Sequence, residues 1–430
     1  MEILLNVLTT VFWGLVMFSL IVLVHEAGHF TAAKLCGMRV REFMLGLPGS
    51  NLGIQIGETR FGVTPFLLGG YALVAGMQFE AESPTLARAL ALLAERGSID
   101  TATAQRLENS LGYELEADLD QLTDWGTIQR RRTKGGFYRY EMKAGDGYAQ
   151  GQAREISDAD SLVAAERKLT YLGAPYHQRV IMLLAGAFFN LVFAIIVFTA
   201  AMMYVGDGQL TKLVDSVTAG SPAAAAGIMP GDDLLSIDGQ ETADWQAFYD
   251  LIGQHAVGDQ VVVAVLRDGQ TIRLEATLGD NNGRAFLGVS PYIEPLPVSF
   301  TEALGRSFSF IGIVAVTIAG LLNPATTGQV ISQSSSVVGV SVEAANAASA
   351  GFLPFIVLAA GLSISIGLMN LLPIPPLDGG KIVLETIQRL LGRPIPIRVI
   401  NSISVAALVM LGLLFVTVTW QDIQHYIIGG

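Results

Sequence analysis

Cysteine is nearly absent: Cys36 stands alone in 430 residues. It has no partner for an internal disulfide and cannot build a cysteine-rich metal site. Charge is scarce too, at 15% of residues, where soluble domains carry about 25%. The charge that exists has the wrong sign for nucleic acid. Against 38 Asp and Glu there are 26 Lys and Arg, a formal charge of −12, whereas a nucleic-acid partner calls for a basic surface. Low hydrophobicity, the mark of a disordered chain, is also missing: 51% of residues are hydrophobic and mean hydropathy is +0.49. Histidine is rare as well. The five are His25, His29, His177, His255 and His425, and two of them lie one helical turn apart.

What remains is apolar and arranged in long runs. A spanning helix needs about 20 mostly apolar residues. Four runs meet this: residues 3–24 (continuing toward Ala33), 180–205, 352–372 and 397–420. A fifth, 308–322, is shorter and interrupted by glycine, and is expected in or on the membrane rather than across it. The first run reads as a retained anchor, not a signal peptide. Met1 and Glu2 give no basic start, and no small-residue cleavage site follows. Lys34, Arg39 and Arg41 follow the first run, Arg167, Lys168 and Arg179 precede the second, and Lys381, Arg389, Arg393 and Arg398 join the third to the fourth. These basic clusters mark the cytoplasmic side. Segment 206–300 is acidic and is expected outside. Four spans with both termini outside satisfy every loop.

The loops differ in character. Residues 34–76 are short apolar strands cut by glycines, which predicts a β-hairpin sheet, either membrane-associated or an ordinary cytoplasmic loop. Residues 77–176 predict two amphipathic helices, a basic patch (Arg130, Arg131, Arg132, Lys134) and a strand, a small cytoplasmic α+β insertion. Its arginines suit a solvated face better than anionic lipid. Residues 207–296 carry SPAAAAGIMPGDDLLSIDG, then a helix and two strands, and resemble one PDZ domain, a module that binds peptide ends by strand addition. The tract 323–351, rich in Ser, Ala and Gly, predicts a flexible or membrane-surface linker.

The chemistry concentrates at His25-Glu26-Ala27-Gly28-His29. On a helix, His25 and His29 share a face, can bind one zinc ion, and leave Glu26 beside the metal as general base. Two histidines and a glutamate at membrane depth are costly and point to function. A third ligand is needed. His177 is possible. Asp378, in NLLPIPPLDGGKI after the third run, is the better candidate, with Pro373, Pro375 and Pro376 holding the backbone open and Gly379 and Gly380 allowing a tight turn. An Asp before an apolar helix is equally a helix cap, and spacing alone does not choose between the two.

HEAGH in a membrane run, one PDZ segment between runs and NLLPIPPLDGG near the end together resemble the site-2 protease family, intramembrane zinc metalloproteases of the bacterial RseP type. The family's NxxPxxxLDG pattern falls on Asn370, Pro373, Leu377, Asp378 and Gly379. Gly69, Gly70 and Tyr71 resemble its hairpin glycine turn. GAFFN, ending at Asn190, is similar to its second-helix signature, with Ala187 in place of proline. SSVVG (335–339) resembles the segment before its third helix. The likeness covers residues 1–76, 175–300 and 330–425. The chain departs in having a long 77–176 insertion and one PDZ domain where well-known members have two.

The resemblance implies a polytopic α-helical membrane protein of about four spans, with the hairpin sheet, an extracytoplasmic PDZ domain and the cytoplasmic insertion, in the bacterial cytoplasmic (inner) membrane. It implies zinc on His25, His29 and Asp378, Glu26 as the catalytic base, and Asn370, Gly69, Gly70 and Tyr71 in substrate binding. The implied reaction is hydrolysis within a transmembrane segment, in regulated intramembrane proteolysis of single-pass substrates such as anti-sigma factors or remnant signal peptides. The bilayer and peptide ends at the PDZ domain are the other implied partners, with no nucleic acid. A PDZ scaffold with a structural metal does not explain Glu26. A zinc transporter would need ionisable residues along more than one span.

Overall fold

The computed structural model describes residues 2–67, 69–77, 82–133, 136–145, 147–281, 283–332, 334–393 and 395–424. Lys134 and His425 lie outside these. The chain forms two units, residues 1–197 with 307–430, and residues 198–306.

In the first unit, α1 (Glu2–Leu35) is one helix of 34 residues that carries HEAGH in its last third. It is apolar all round, as a helix in lipid or a large core must be. Gly28 lets it meet α6 (Tyr176–Val205) backbone to backbone, since a Cβ there would lie 2.2 Å from the Ala185 carbonyl oxygen. A four-stranded sheet follows α1: β1 (Val40–Leu45), β2 (Leu52–Ile56), β3 (Thr59–Val63) and β4 (Gly70–Val74), in the order β2-β3-β1-β4. β1 runs parallel to β3 and antiparallel to β4. The outer strand β2 exposes Leu52 by 79% and Ile54 by 67%. An apolar edge left bare in this way suits lipid and not water.

The insertion holds its own core around Leu90, Leu119, Trp125 and Tyr140. Its elements are α2 (Leu86–Arg96), β5 (Ser98–Asp100), α3 (Thr101–Leu111), α4 (Leu115–Trp125), β6 (Ile128–Arg132), β7 (Tyr138–Met142) and α5 (Ala159–Arg167), with sheet order β5-β7-β6. A helix, a short strand, two further helices and a two-stranded hairpin make up the module, an α+β arrangement as expected. The sequence pattern gives α2 and α3 but not α4. The module grips the chain at the base of the four-stranded sheet. Asp124 accepts from the Gly76 N–H at 2.8 Å, and Arg39 donates to the Trp125 carbonyl at 2.8 Å and to Glu166 at 2.5 Å.

The second unit contains β8 (Asp207–Val217), α7 (Pro222–Ala226), β9 (Asp233–Ile237), β10 (Gln240–Glu241), α8 (Trp245–Ile252), β11 (Gln260–Arg267), β12 (Gln270–Thr277), β13 (Gly279–Asn281), β14 (Arg284–Phe286) and β15 (Val289–Leu296). Its main sheet runs β12-β11-β9-β8-β15 over a core of Val214, Leu234, Trp245, Phe248 and Val263. The motif residues have structural work. Ser221 caps α7 by accepting from the Ala224 N–H, and buried Asp232 takes two 2.7 Å hydrogen bonds from Arg267. Pro291 and Pro295 sit on the edge strand β15, where a missing N–H is tolerated.

The chain then gives α9 (Phe300–Ala319), α10 (Thr327–Ser332), α11 (Val337–Ala350), α12 (Phe352–Asn370), α13 (Asp378–Leu391) and α14 (Ile397–Ile423). Among the described residues five helices are long and apolar enough to cross a membrane: α1, α6, α9, α12 and α14. Four of these match the runs expected to span, and α9, which begins at Phe300, contains the shorter run expected in or on the membrane. The tract 323–351, expected as a flexible or membrane-surface linker, contains α10 and α11. Its small residues are packing residues, as is usual between membrane helices. Ala344 is buried against Met17, Ile21, Phe355 and Ala359, and Gly14 leaves no room for a Cβ beside Ser341.

Candidate metal centre

Four elements build one site. α1 presents His25 and His29 on the same face with their Nε2 atoms 3.1 Å apart. α13 presents Asp378, whose Oδ2 lies 3.2 Å from His25 Nε2 and 3.1 Å from His29 Nε2. All three residues are buried. Among the described residues, they form a group of potential metal ligands whose donor atoms lie within 4.8 Å of one another.

The rings are aimed by the opposite wall. His29 Nδ1 donates to the Met182 carbonyl of α6 at 2.8 Å. A carbonyl only accepts, so Nδ1 carries a proton, and in the neutral ring Nε2 presents a bare lone pair. Gly186, also on α6, leaves the space into which the nitrogens point. A Cβ there would lie 2.5 Å from His29 Nε2 and 2.7 Å from His25 Nε2. Two imidazole nitrogens and a carboxylate oxygen, close-packed around a cradle that one methyl would fill, are a donor set suited to zinc.

Asp378 is the first residue of α13, while Leu377 takes the capping position, and no side chain caps the helix. The carboxylate is turned to the histidines and away from a cap. Gly379 and Gly380 serve close approach and not the tight turn expected of them. Both are helical, and a Cβ on either would lie 2.3 Å from the backbone of the preceding loop, at the Leu371 carbonyl and the Pro375 nitrogen. α13 is held from behind. Tyr171 hydrogen-bonds Glu385, Tyr176 Oη lies 2.7 Å from Thr386 Oγ1, and Arg389 stacks over Tyr176. Lys381 Nζ stands 3.8 Å from Asp378 Oδ1.

Glu26 is not in the donor group. Its Oε2 accepts from the Ala72 N–H of β4 at 2.8 Å, beside a cavity of about 400 Å³ lined by Val22, His25, His29, Tyr71, Asn370 and Asp378 among others. Asn370 and Tyr71 thus share this cavity with the histidines, and the Tyr71 hydroxyl donates to Glu42 at 2.7 Å. Gly69 and Gly70 do not line it. They turn β4 against α1, with Gly69 at φ 88° and a Cβ added at Gly70 falling within 4 Å of Val22 and Glu26. His177 lies in the first turn of α6 and is not in the donor group. His255 belongs to the second unit, 3.6 Å from Asp238. Gly186 opens the GAFFN segment, whereas the Met182 carbonyl and the Ala72 N–H belong to no motif quoted from the sequence. Only the fold brings them to the site.

The chain matches peptidase family M50 across residues 13–414. The zinc metalloprotease RasP of Shouchella clausii is 26% identical over 95% of this chain and 97% of its own. The regulator of sigma-W protease RasP of Bacillus subtilis is 25% identical over 97% and 98%. Among solved structures, the PDZ domain of an SdrC-like protein from Listeria monocytogenes is 28% identical, covering 19% of this chain and 86% of that one at a TM-score of 0.18. The family match contains both HEAGH on α1 and Asp378 on α13, so it takes in both sides of the donor cluster. The chain belongs to peptidase family M50, the site-2 proteases, and is a multi-pass membrane zinc metalloprotease.

Proposed function

We propose that this protein hydrolyses a peptide bond within a membrane-spanning segment of another protein, with His25, His29 and Asp378 holding zinc and Glu26 acting as general base. The observation that carries the reading is the convergence of three buried donor atoms at 3.1–3.2 Å on helices of membrane character. When bound, zinc acidifies a water and polarises the scissile carbonyl. Glu26 takes the proton and passes it to the departing nitrogen. The Ala72 N–H fixes the Glu26 carboxylate for that transfer. Asn370 donates to the carbonyl oxygen as negative charge develops there. A substrate helix has its amides paired and must unwind before attack. The outer strand β4 offers the unwound segment an edge beside the cavity, with Tyr71 and the Gly69–Gly70 turn setting its position.

The membrane is crossed by α1, α6, α12 and α14, with the PDZ unit outside and the insertion inside, in a bacterial cytoplasmic membrane. α9 stays at the outer face. Asp422 near the end of α14 accepts from the Ser336 and Gly339 N–H groups at the start of α11, at 2.6 and 3.2 Å, so these two ends share a depth. α9 therefore leaves from and returns to one side. Substrates are single-pass proteins, of which anti-sigma factors and remnant signal peptides are the candidates, and the PDZ unit reads peptide ends. Glu26→Gln tests the reading: cleavage of a membrane substrate is lost while zinc stays. Retained cleavage would refute it.

A further inference from the structure

We propose that Asn190 is a positioning residue that holds His25 in the tautomer whose Nε2 is free for metal, an inference that rests on the zinc reading of the site. Asn190 lies on α6 one turn beyond Gly186 and is completely buried. It has little freedom. Its backbone carbonyl accepts from Ser363 Oγ at 3.2 Å, and α12 packs so closely that a Cβ on Gly367 would lie 3.0 Å from the Asn190 Cβ. One end of its side-chain amide lies 3.4 Å from His25 Nδ1, and the other end, assigned as Oδ1, is buried without a hydrogen-bond partner.

The two ends of an amide are told apart only by their partners. With Nδ2 toward the ring, His25 Nδ1 must accept, and the ring proton is forced onto Nε2. That would place a proton where Nε2 meets His29 Nε2 and Asp378 Oδ2. With Oδ1 toward the ring, Nδ1–H donates to it and Nε2 is bare, while Nδ2 takes the buried place now held by Oδ1. The second arrangement repeats what the Met182 carbonyl does for His29. Both rings are then held in one tautomer by α6, and three lone pairs face the cradle opened by Gly186. Outer partners of this kind fix ring orientation and raise ligand basicity.

The test is zinc affinity, measured by chelator competition on the full chain in detergent. Asn190→Leu keeps the volume and removes the acceptor, and is expected to weaken zinc binding by about 10- to 100-fold. Asn190→Asp keeps an acceptor and cannot donate, and is expected to stay within about threefold of the parent protein. If the leucine variant does not fold, Asn190→Ala carries the same expectation. Parent-like affinity in the leucine or alanine variant overturns the proposal. So does an aspartate variant as weak as the leucine one, because the residue then acts by shape or by donating. A parent protein that binds no zinc would instead overturn the underlying reading of the site.

Discussion

The Ala72 N–H donates to the Glu26 carboxylate at 2.8 Å, joining the edge of a four-stranded sheet to the residue after the first motif histidine. That N–H points away from β1 and would otherwise be an open ladder donor on an outer strand. The bond makes the position of the sheet a condition for the position of the base. It also ties the insertion to the site, because Asp124 holds the Gly76 N–H just past the end of β4.

Ala72→Pro deletes this donor and leaves the rest of the strand. The expected result is at least about a tenfold loss of turnover with zinc content unchanged. Unchanged turnover would show that Glu26 needs no anchor on β4. Zinc analysis alongside a cleavage assay reads both quantities.

Gly186→Ala puts a methyl 2.5 Å from His29 Nε2. Overpacking of this kind costs about 1–3 kcal/mol, and here the strain falls on the donor geometry. Zinc affinity is expected to fall about 10- to 100-fold by chelator competition. A variant that binds zinc as tightly as the parent would place the ion away from α6.

Asp232 gives the pH dependence of the second unit. Burial alone would raise its carboxyl, but the paired hydrogen bonds from Arg267 and one from the Met229 N–H hold it below the ordinary value. A carboxyl lower in the folded than in the unfolded state stabilises the fold at neutral pH. That contribution is lost as pH falls below about 4, where the unfolded form takes up a proton first. Thermal unfolding of residues 198–306 should therefore show a midpoint that drops on acidification. Asp232→Ala should destabilise the unit at pH 7 by about 2 kcal/mol and flatten the acid limb. An equally steep limb in the variant would assign it to another group.

Deletion of residues 207–292 tests the PDZ unit as a size filter. If it excludes bulky outer domains, the deletion permits cleavage of a model single-pass substrate that still carries its outer domain. If that substrate stays intact, the unit serves recognition and not exclusion.

The first half of the site was legible because helical period and apolar setting coincide at His25 and His29. Asp378 was legible as the better candidate for third ligand, and the family resemblance favoured it, but spacing alone did not decide it. It lies 349 positions from His29, and capping explained its local pattern equally well until Leu377 took the capping position. α4 carries an apolar stripe, Leu115, Leu119, Leu122 and Trp125, at helical spacing and fully buried. Beside it Asp118 accepts from Thr85, Gln121 from the Ser83 N–H and Asp124 from Gly76, and these polar residues within an 11-residue helix masked the stripe. The tract at 323–351 holds two helices among its small residues. Small residues read as slack in water but serve as contact surface between apolar helices. Gly186 and Met182 carry no chemistry in isolation and act only through what α6 places beside them.

The most direct measurement is the zinc content of the purified full chain and of Asp378→Ala, by elemental analysis. The account predicts about one zinc per chain in the parent protein, as a three-ligand site requires, and near-complete loss in the variant. A variant that keeps one zinc per chain would contradict it, because the third ligand would then lie elsewhere.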